Sequence, residues 1–195
     1  MATARSKREP RTAERILDIA ERLVQTRGFN SFSYADIATE LGITTASLHY
    51  HFPGKAELGQ ALVVRYAERF NQALEQIARE LPDARTKLNA YAELYADVLR
   101  GQRMCMCGIL AAEYDTLPEP MRTAVVRFFD DNQRWLAEIV TEGETDDTLT
   151  LSASPDETAH SILSTLEGAM LVARPYGDID RFNATARQLL AALVT

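Results

Sequence analysis

Apolar residues recur at intervals of three and four along most of this chain, and no stretch alternates regularly between apolar and polar residues. Such spacing indicates amphipathic α-helices rather than half-buried strands. Glycines, prolines and capping residues divide the pattern into about nine helices, which predicts an all-α fold. The predicted helices cover approximately residues 12–27, 33–41, 44–52, 55–81, 85–100, 101–114, 121–142, 154–173 and 179–194.

Two of these helices begin with capping boxes. Ser33 is followed three positions later by Asp36, and Ser154 is followed by Glu157. In this motif the serine side chain and the acid each bind the other residue's backbone N–H, which predicts helix starts at both serines. The acidic and polar segment 141–154 is predicted to be a flexible loop.

A glycine-containing turn joins the second and third predicted helices. Ile37, Ile43 and Leu48 are spaced to share a core, and this arrangement is typical of a helix-turn-helix unit, whose third helix enters the major groove of DNA. The outward side chains of that helix can donate to phosphates or base edges: Thr44, Thr45, Ser47, His49 and Tyr50. A plain helical hairpin with an aromatic cap is the alternative.

Charge is distributed unevenly along the 195 residues, whose net charge is −7. Residues 1–55 hold eight Lys/Arg and six Asp/Glu, a net of +2, whereas residues 56–195 hold thirteen and twenty-two, a net of −9. Because attraction to phosphate depends on local basic surface, an acidic protein can still bind a polyanion through its amino-terminal part. The basic segment 1–11 is either a solvated tail or an arm that reaches DNA.

Three short motifs in this region carry a family resemblance. They are Gly28-Phe29 at the end of the first helix, D-I-A-x-x-L-G-I over residues 36–43, and S-L-x-x-H-F-P-x-K-x-x-L over residues 47–58. With these motifs, residues 12–62 resemble the DNA-binding domain of the TetR family of bacterial one-component transcriptional regulators. The resemblance implies a ligand-responsive regulator, most often a repressor that a small-molecule inducer releases from a palindromic operator in double-stranded DNA.

The resemblance also implies roles for individual residues and domains. Thr44, Thr45, Ser47, His49 and Tyr50 would contact the operator, while phosphates would be held by Ser33, Tyr34, His51 and Lys55. His49 precedes Tyr50 here, a departure from the order common in the family, so base preference does not follow from the resemblance. The expected organisation is a basic arm (1–11), a helix-turn-helix domain (12–54) and a helical effector-binding and dimerisation domain (55–195).

The last two predicted helices carry wide apolar stripes. Since one helix-turn-helix unit reads half a palindrome, a homodimer is expected. Its interface would be a four-helix bundle, unless the stripes serve the core of one chain. The expected interface residues are Ile162, Leu163, Leu166, Ala169, Phe182, Leu189 and Leu193.

The middle helices would then hold the inducer pocket. Large apolar side chains with a few polar tips are typical of such cavities, although ordinary core packing uses the same residues. The candidates are Tyr91, Tyr95, Met104, Cys107, Tyr114, Phe128, Trp135 and Met170.

Cys105 and Cys107 suggest an alternative signal. Near a helix N-terminus and beside Arg103, either thiolate would be stabilised and reactive, which would suit a cysteine-based sensor of oxidants or electrophiles. The competing interpretation is that both are small core residues. Two cysteines are too few for a disulfide scaffold and, with only three histidines, do not form a metal-binding set, so no metal or cofactor is expected.

Other classes of protein are less compatible with the sequence. No nucleophile elbow or phosphate loop is present, so an enzyme is not expected. A helical adaptor that binds proteins would leave the outward hydroxyl and ring cluster unexplained. Without a signal peptide or an apolar run of about 18 residues, the chain is expected in the cytoplasm, not in a membrane.

Overall fold

Nine α-helices make up most of residues 9–193, which are the part of the chain that the structure, a computed structural model, describes; no strand occurs within that range. The all-α prediction is therefore confirmed. The helices are α1 (Glu9–Arg27), α2 (Tyr34–Leu41), α3 (Thr45–His51), α4 (Lys55–Glu80), α5 (Ala84–Arg100), α6 (Met106–Ala112), α7 (Glu119–Thr145), α8 (Pro155–Ala173) and α9 (Ile179–Ala191). Short 3-10 turns lie at Phe29–Ser31, Tyr114–Thr116 and Arg174–Tyr176.

Both predicted capping boxes are present. The Ser33 N–H donates to Asp36 Oδ2 at 2.7 Å, and the Ser154 N–H donates to Glu157 Oε2 at 3.0 Å. Each box binds backbone groups that a helix start leaves without an intrahelical partner.

Two element predictions were wrong in extent. Residues 101–105 are not helical, because the Met104 N–H donates to Gln25 O on α1 (3.1 Å) instead of continuing a helix. In contrast, α7 continues to Thr145, so only the second part of the predicted acidic loop, from residue 146, lies outside a helix. That loop folds back, and the Leu149 N–H donates to Gly143 O at 2.9 Å while the Leu149 side chain is buried.

The predicted basic arm lies largely outside the described residues. The structure begins at Glu9, which is also the first residue of α1, and residue 194 at the predicted end of α9 is likewise outside the described range. No helix within residues 9–193 is long and apolar enough to cross a membrane.

One continuous hydrophobic core joins the helix-turn-helix unit to the remaining helices. In the amino-terminal part, Ile16, Ile37 and Leu48 are completely buried, and α4 extends this core through Leu58. An ion-pair cluster fixes α4 against α1. Arg65 binds Asp18 and the buried Glu21 at 2.8 Å each, and Arg69 also binds Glu21.

The carboxyl end of α1 is held by residues that are distant in sequence. The Gln25 side chain donates to Met104 O at 3.0 Å, the Phe29 N–H donates to Glu113 Oε2 at 2.7 Å, and Arg174 donates to Thr26 O. The backbone groups that a helix end leaves unpaired are therefore satisfied by α6 and the turn after α8. This contact couples the position of α1 directly to the carboxyl-terminal helices.

Gly28 makes this junction possible. Its φ of 88° and ψ of 162° lie in a region that is essentially restricted to glycine, and a Cβ at this position would lie 2.5 Å from Glu113 Oε1. Gly177 also has a positive φ of 58°, but a Cβ there would meet no atom within 4 Å.

We expect Gly28→Ala to lower the free energy of unfolding by about 2–3 kcal/mol, because backbone strain and the clash with Glu113 add. Gly177→Ala, the matched control, should cost only about 1 kcal/mol, since it adds left-handed strain alone. Urea denaturation of both variants at the same protein concentration measures the difference. Equal losses would show that the contact between Gly28 and Glu113 contributes nothing to stability.

Candidate functional site

The turn between α2 and α3 presents the first candidate site. The Ile43 N–H donates to Ala38 O at 3.0 Å, which closes the turn, and Thr44 caps α3 by accepting from the Ser47 N–H at 3.2 Å. The completely buried Leu48 anchors α3 to the core. The first turn of α3 is therefore held rigidly at the surface, as a recognition element requires.

The predicted base-reading residues lie together on this short helix. Thr44, Thr45, His49 and Tyr50 are exposed and Ser47 is partly buried; the Tyr50 side chain is 72% exposed. His49 Nδ1 lies 2.9 Å from Pro53 O, so the imidazole is held in place without ligand. The result is a surface of hydroxyl, phenol and imidazole groups that can form hydrogen bonds with DNA.

The predicted phosphate-binding residues are divided between surface and interior. Ser33 is exposed and His51 is partly buried, but the Tyr34 hydroxyl donates to Phe52 O at 2.9 Å. Lys55 Nζ donates to Phe32 O and lies 4.4 Å from the centre of that ring. Burial raises the pKa of Tyr34 to about 12 and lowers the pKa of Lys55. In this conformation Tyr34 and Lys55 use their polar atoms to hold the domain's own backbone, which the sequence did not indicate.

A second candidate site is a pocket where the amino-terminal helices meet the rest of the chain, here called the junction pocket. Its volume is about 730 Å³, which lies in the range of small-molecule sites. It lies between the end of α1, helices α6, α7 and α8, and the turn after α8. Its lining residues are Thr26, Arg27, Gly28, Met104, Gly108, Ile109, Ala111, Ala112, Glu113, Phe129, Asp130, Gln133, His160, Leu163, Ser164, Glu167, Gly168, Leu171 and Arg174.

Glu167 is the unusual residue of this pocket. Its Oε1 atom is closed off from solvent and accepts no hydrogen bond, and a Cβ on Gly108 would lie 2.4 Å from its Oε2. Burial raises the pKa of this carboxyl from 4.5 to about 7, although hydrogen bonds from the Cys105 and Tyr95 side chains to the carboxylate oppose the rise. Ionised carboxylates are costly to bury without a partner, so this arrangement is suited to a ligand.

Most of the eight predicted inducer-binding residues are not brought together around this pocket. Met104 lines it, whereas Tyr91, Tyr95, Cys107, Phe128 and Met170 are completely or almost completely buried and are not among its lining residues. Tyr114 is exposed in the turn after α6. These positions are filled by core packing, which the same apolar periodicity produces.

The buried tyrosines have partners of their own. The hydroxyls of Tyr91 and Tyr95 lie 3.0 Å apart, and the Tyr91 hydroxyl also donates to Asn132 Oδ1 at 3.1 Å. Trp135 stacks on Tyr91 with 5.6 Å between ring centres, and its buried Nε1 has no hydrogen-bond partner. Trp135 therefore belongs to an aromatic cluster and does not line the junction pocket.

The structure contradicts the alternative of a stabilised thiolate and agrees with the interpretation of both cysteines as core residues. Cys105 precedes α6 and Cys107 lies within it, and both are at most 1% exposed. Burial raises the pKa of both thiols well above the ordinary value. Burial therefore outweighs the helix N-terminus, and the cysteine-sensing alternative loses the property on which it depended. Within residues 9–193, no group of three or more His, Cys, Asp or Glu side chains is arranged to hold a metal ion.

The residues predicted for the dimer interface are either buried or partly buried within one chain. Ile162, Leu163, Leu166 and Phe182 are buried within one chain, which corrects their assignment to an interface, while Ala169, Leu189 and Leu193 are partly buried and pack against the same core. The apolar stripes of α8 and α9 are wide because these helices cover the other helices of their own chain.

The sequence analysis missed Glu167 and Glu113, which line the junction pocket. One signal was available for Glu167. It is a single acid on the apolar stripe of α8, four residues after Leu163 and three before Met170. Acidic residues rarely occupy such positions without a partner. No local pattern distinguishes Glu113, because its contact with Phe29 spans 84 positions.

Comparisons with known proteins cover both parts of the chain. Residues 16–62 match the family model of bacterial regulatory proteins of the tetR family, and residues 84–189 match that of the tetracyclin repressor-like C-terminal domain. A TetR-family transcriptional regulator from Agrobacterium tumefaciens has a similar structure, with a TM-score of 0.92 and 32% identity over 95% of this chain and 99% of that chain.

Two further relatives agree with these matches. A TetR transcriptional regulator from Legionella pneumophila has a TM-score of 0.85 and 29% identity, over 99% of this chain and 100% of that chain. The transcriptional regulator AcuR of Cereibacter sphaeroides is 27% identical over 152 residues, which are 76% of this chain and 69% of its own length. The likeness therefore extends beyond the helix-turn-helix.

The raised pKa of Glu167 predicts a pH-dependent stability. Because its folded pKa of about 7 exceeds the ordinary 4.5, the protonated carboxyl favours folding below pH 4.5, and this contribution is lost as the pH rises through 7. Glu167→Gln cannot ionise, so we expect it to unfold with a free energy about 1–3 kcal/mol higher than the wild type at pH 8. This gain should shrink as the pH approaches 4.5.

Urea denaturation at pH 5 and pH 8, at one protein concentration, measures this effect. Glu138→Gln is the matched control, because Glu138 is an exposed residue of α7. A Glu167→Gln variant that is less stable than the wild type at pH 8 would show that interactions within the protein already stabilise the ionised carboxylate, against this prediction.

Proposed function

Since the chain belongs to the TetR family of bacterial regulatory proteins, and is therefore a DNA-binding transcription regulator, we propose that it acts as a homodimeric repressor that a small molecule releases from a palindromic operator. The position of the junction pocket is the main support for this proposal, because its wall includes both the end of α1 and helices of the carboxyl-terminal part. A ligand in this pocket touches the segment that positions the DNA-binding helices.

The exposed first turn of α3 would read the operator. Thr44, Thr45 and Ser47 offer small donors and acceptors to base edges, and Tyr50 extends further from the helix. His49 and His51 lie on the same short helix, and Ser33 lies nearby in sequence at the start of α2. The basic segment 1–11 would add attraction to phosphates.

The dimer would form through the outer faces of α8 and α9. Once the buried residues of these helices are set aside, α8 still presents Ser161, Gly168 and Val172 to solvent, and α9 presents Ala184 and Ala191. Small uncharged side chains allow two helices to approach closely, which suits a four-helix bundle between two chains. Two helix-turn-helix units at a fixed separation, one from each chain, are needed to read a palindrome.

Glu113 would transmit the state of the pocket to DNA. It lies at the end of α6, lines the pocket and accepts from the Phe29 N–H at 2.7 Å, while Asn30 donates to Thr116 Oγ1 at 2.7 Å. A ligand that displaces α6 would move these contacts and the end of α1 with them. The shift is limited by how much better the ligand binds the conformation that does not fit the operator.

Repression is the simplest action for this architecture. A dimer bound at its operator excludes other proteins from that DNA, whereas an activator also needs a surface that recruits the transcription machinery. The proposal assigns no catalytic step, in keeping with a family of non-enzymatic regulators, and it places the protein in the bacterial cytoplasm with its DNA.

The operator can be obtained by incubating the full chain with a random DNA library and sequencing the bound fraction. We then expect Tyr50→Ala to weaken operator affinity about tenfold, since a base or phosphate contact is worth about 1–3 kcal/mol. Fluorescence anisotropy with labelled operator measures this affinity, and binding should weaken steeply as salt rises.

Tyr176→Ala is the matched control for this experiment. Tyr176 is 63% exposed, close to the value for Tyr50, but it lies in the turn after α8. If Tyr50→Ala bound the operator as tightly as the wild type, α3 would not be the recognition helix as placed here. If protein shown to be folded and dimeric enriched no palindromic consensus from the library, the operator proposal itself would be contradicted.

Glu113→Ala tests the coupling without a ligand. Removing the carboxylate frees the Phe29 N–H, so the hydrogen-exchange rate of this amide should rise. Operator affinity should fall about five- to tenfold, because the two helix-turn-helix units of the dimer are then less well positioned. NMR hydrogen exchange and anisotropy measure the two effects. The neighbouring exposed Asp115→Ala should change neither. Faster exchange with unchanged operator affinity would exclude Glu113 as the link.

A further inference from the structure

The inner part of the junction pocket combines an apolar wall with one acid that has no cationic partner. Met104 and Leu163 are buried, and Ile109 and Phe129 are partly buried. Glu167 lies among them, with an Oε1 atom that is shielded from solvent and accepts no hydrogen bond. Gly108 faces the same carboxylate, so any side chain at that position would crowd it.

No cation of the chain neutralises this carboxylate within the described side chains, residues 12–193. None of the ion pairs formed there includes Glu167. The basic residues that line the pocket, Arg27, His160 and Arg174, are all exposed, and Arg174 donates to Thr26 O. The other inner acid, Glu113, accepts from the Phe29 N–H and is only partly buried. Glu167 therefore has only the neutral donors Cys105 and Tyr95 beside it and lacks the cationic partner that a shielded carboxylate requires.

We propose that the junction pocket binds a protonated organic amine with an apolar body, and that Glu167 is its counterion. Rotation of the Glu167 side chain would expose Oε1, the atom without a partner, to the pocket, and an ammonium N–H would donate to it in a charge-assisted hydrogen bond. The hydrocarbon part would lie against Met104, Ile109, Phe129 and Leu163. A volume of about 730 Å³ admits a molecule with one or two rings in addition to the amine.

The charge of the pocket supports a cation over the alternatives. A carboxylate ligand would place two like charges in an environment of low polarity. A neutral alcohol could donate to Glu167 but would leave its charge uncompensated. This inference specifies the effector class of the proposed regulator and depends on the proposed function only for its consequence at the operator.

The test compares three probes of one shape: 4-phenylbutylamine, 4-phenylbutan-1-ol and 4-phenylbutanoate. Isothermal titration calorimetry on the full chain without DNA measures each dissociation constant at pH 8. We expect the amine to bind wild-type protein at least about tenfold more tightly than the alcohol, and the carboxylate to bind most weakly. Glu167→Gln should reduce the preference for the amine over the alcohol to within about twofold.

Two further variants locate the counterion. Glu138→Gln removes an exposed charge of α7 outside the junction pocket and should leave the preference intact. Asp130→Asn removes an acid from the pocket rim. If Asp130→Asn removed the preference and Glu167→Gln did not, the cation would bind at the rim, and the role proposed for Glu167 would be overturned.

The remaining outcomes are equally decisive. Equal binding of amine and alcohol, tighter binding of the carboxylate, or no binding of the amine up to about 10 mM would each overturn the proposal. Folding of Glu167→Gln is checked by urea denaturation and by operator affinity. Amine binding that depends on Glu167 but does not release the operator would support the site while contradicting the proposed induction. Release of the operator by a ligand whose binding is unaffected by Glu167→Gln would support the proposed induction while contradicting the role of Glu167.

Discussion

The backbone at the end of α1 cannot satisfy its own hydrogen bonds, and the rest of the structure depends on how they are met. A helix leaves its last carbonyl groups unpaired, and after Gly28 the chain turns too sharply to pair them locally. Gln25 O accepts instead from the Met104 N–H and Thr26 O accepts from Arg174, while the Phe29 N–H donates to Glu113. Because these residues belong to the carboxyl-terminal part, α1 of the helix-turn-helix unit is fixed to segments that are distant in sequence.

The same requirement creates the junction pocket and gives it a role. Segments that converge on the end of one helix from three directions leave a space between them, and here that space is lined by Gly28 and Glu113 together with α7 and α8. Under the proposed function, a ligand bound there would compete with, or strengthen, the contacts that hold α1. Glu167 would add a chemical preference, because a shielded carboxylate without a cationic partner is more stable once a cation is bound. The proposed roles are separate in space: Glu167 lies in the inner part of the pocket, and Glu113 lies beside the backbone at the end of α1.

Features set by neighbouring residues were predictable. The two capping boxes, the turn at Gly42 and the outward position of Tyr50 all depend on contacts within a few residues, and the structure has them where the pattern indicated. Features set by distant contacts were not. The segment before α6 carries a helical pattern, but pairing of Met104 with Gln25 keeps it out of a helix. The cysteine thiols illustrate the same limit, since their burial by other helices outweighs the helix terminus beside them.

The sequence by itself determined the all-α class, most helix limits and the surface of α3, because apolar periodicity and capping chemistry act locally. It also carried the motifs that indicate the TetR family. Only the tertiary structure decided which apolar residues form the core and which line the pocket, since the same spacing serves both. Ile162 and Phe182 became core, Tyr91 and Tyr95 paired with each other and Tyr91 with Asn132, and an acid in an apolar stripe, Glu167, came to line the pocket with a shielded Oε1 atom that accepts no hydrogen bond. Burial and long-range pairing depend on where distant segments meet, and no local pattern records that.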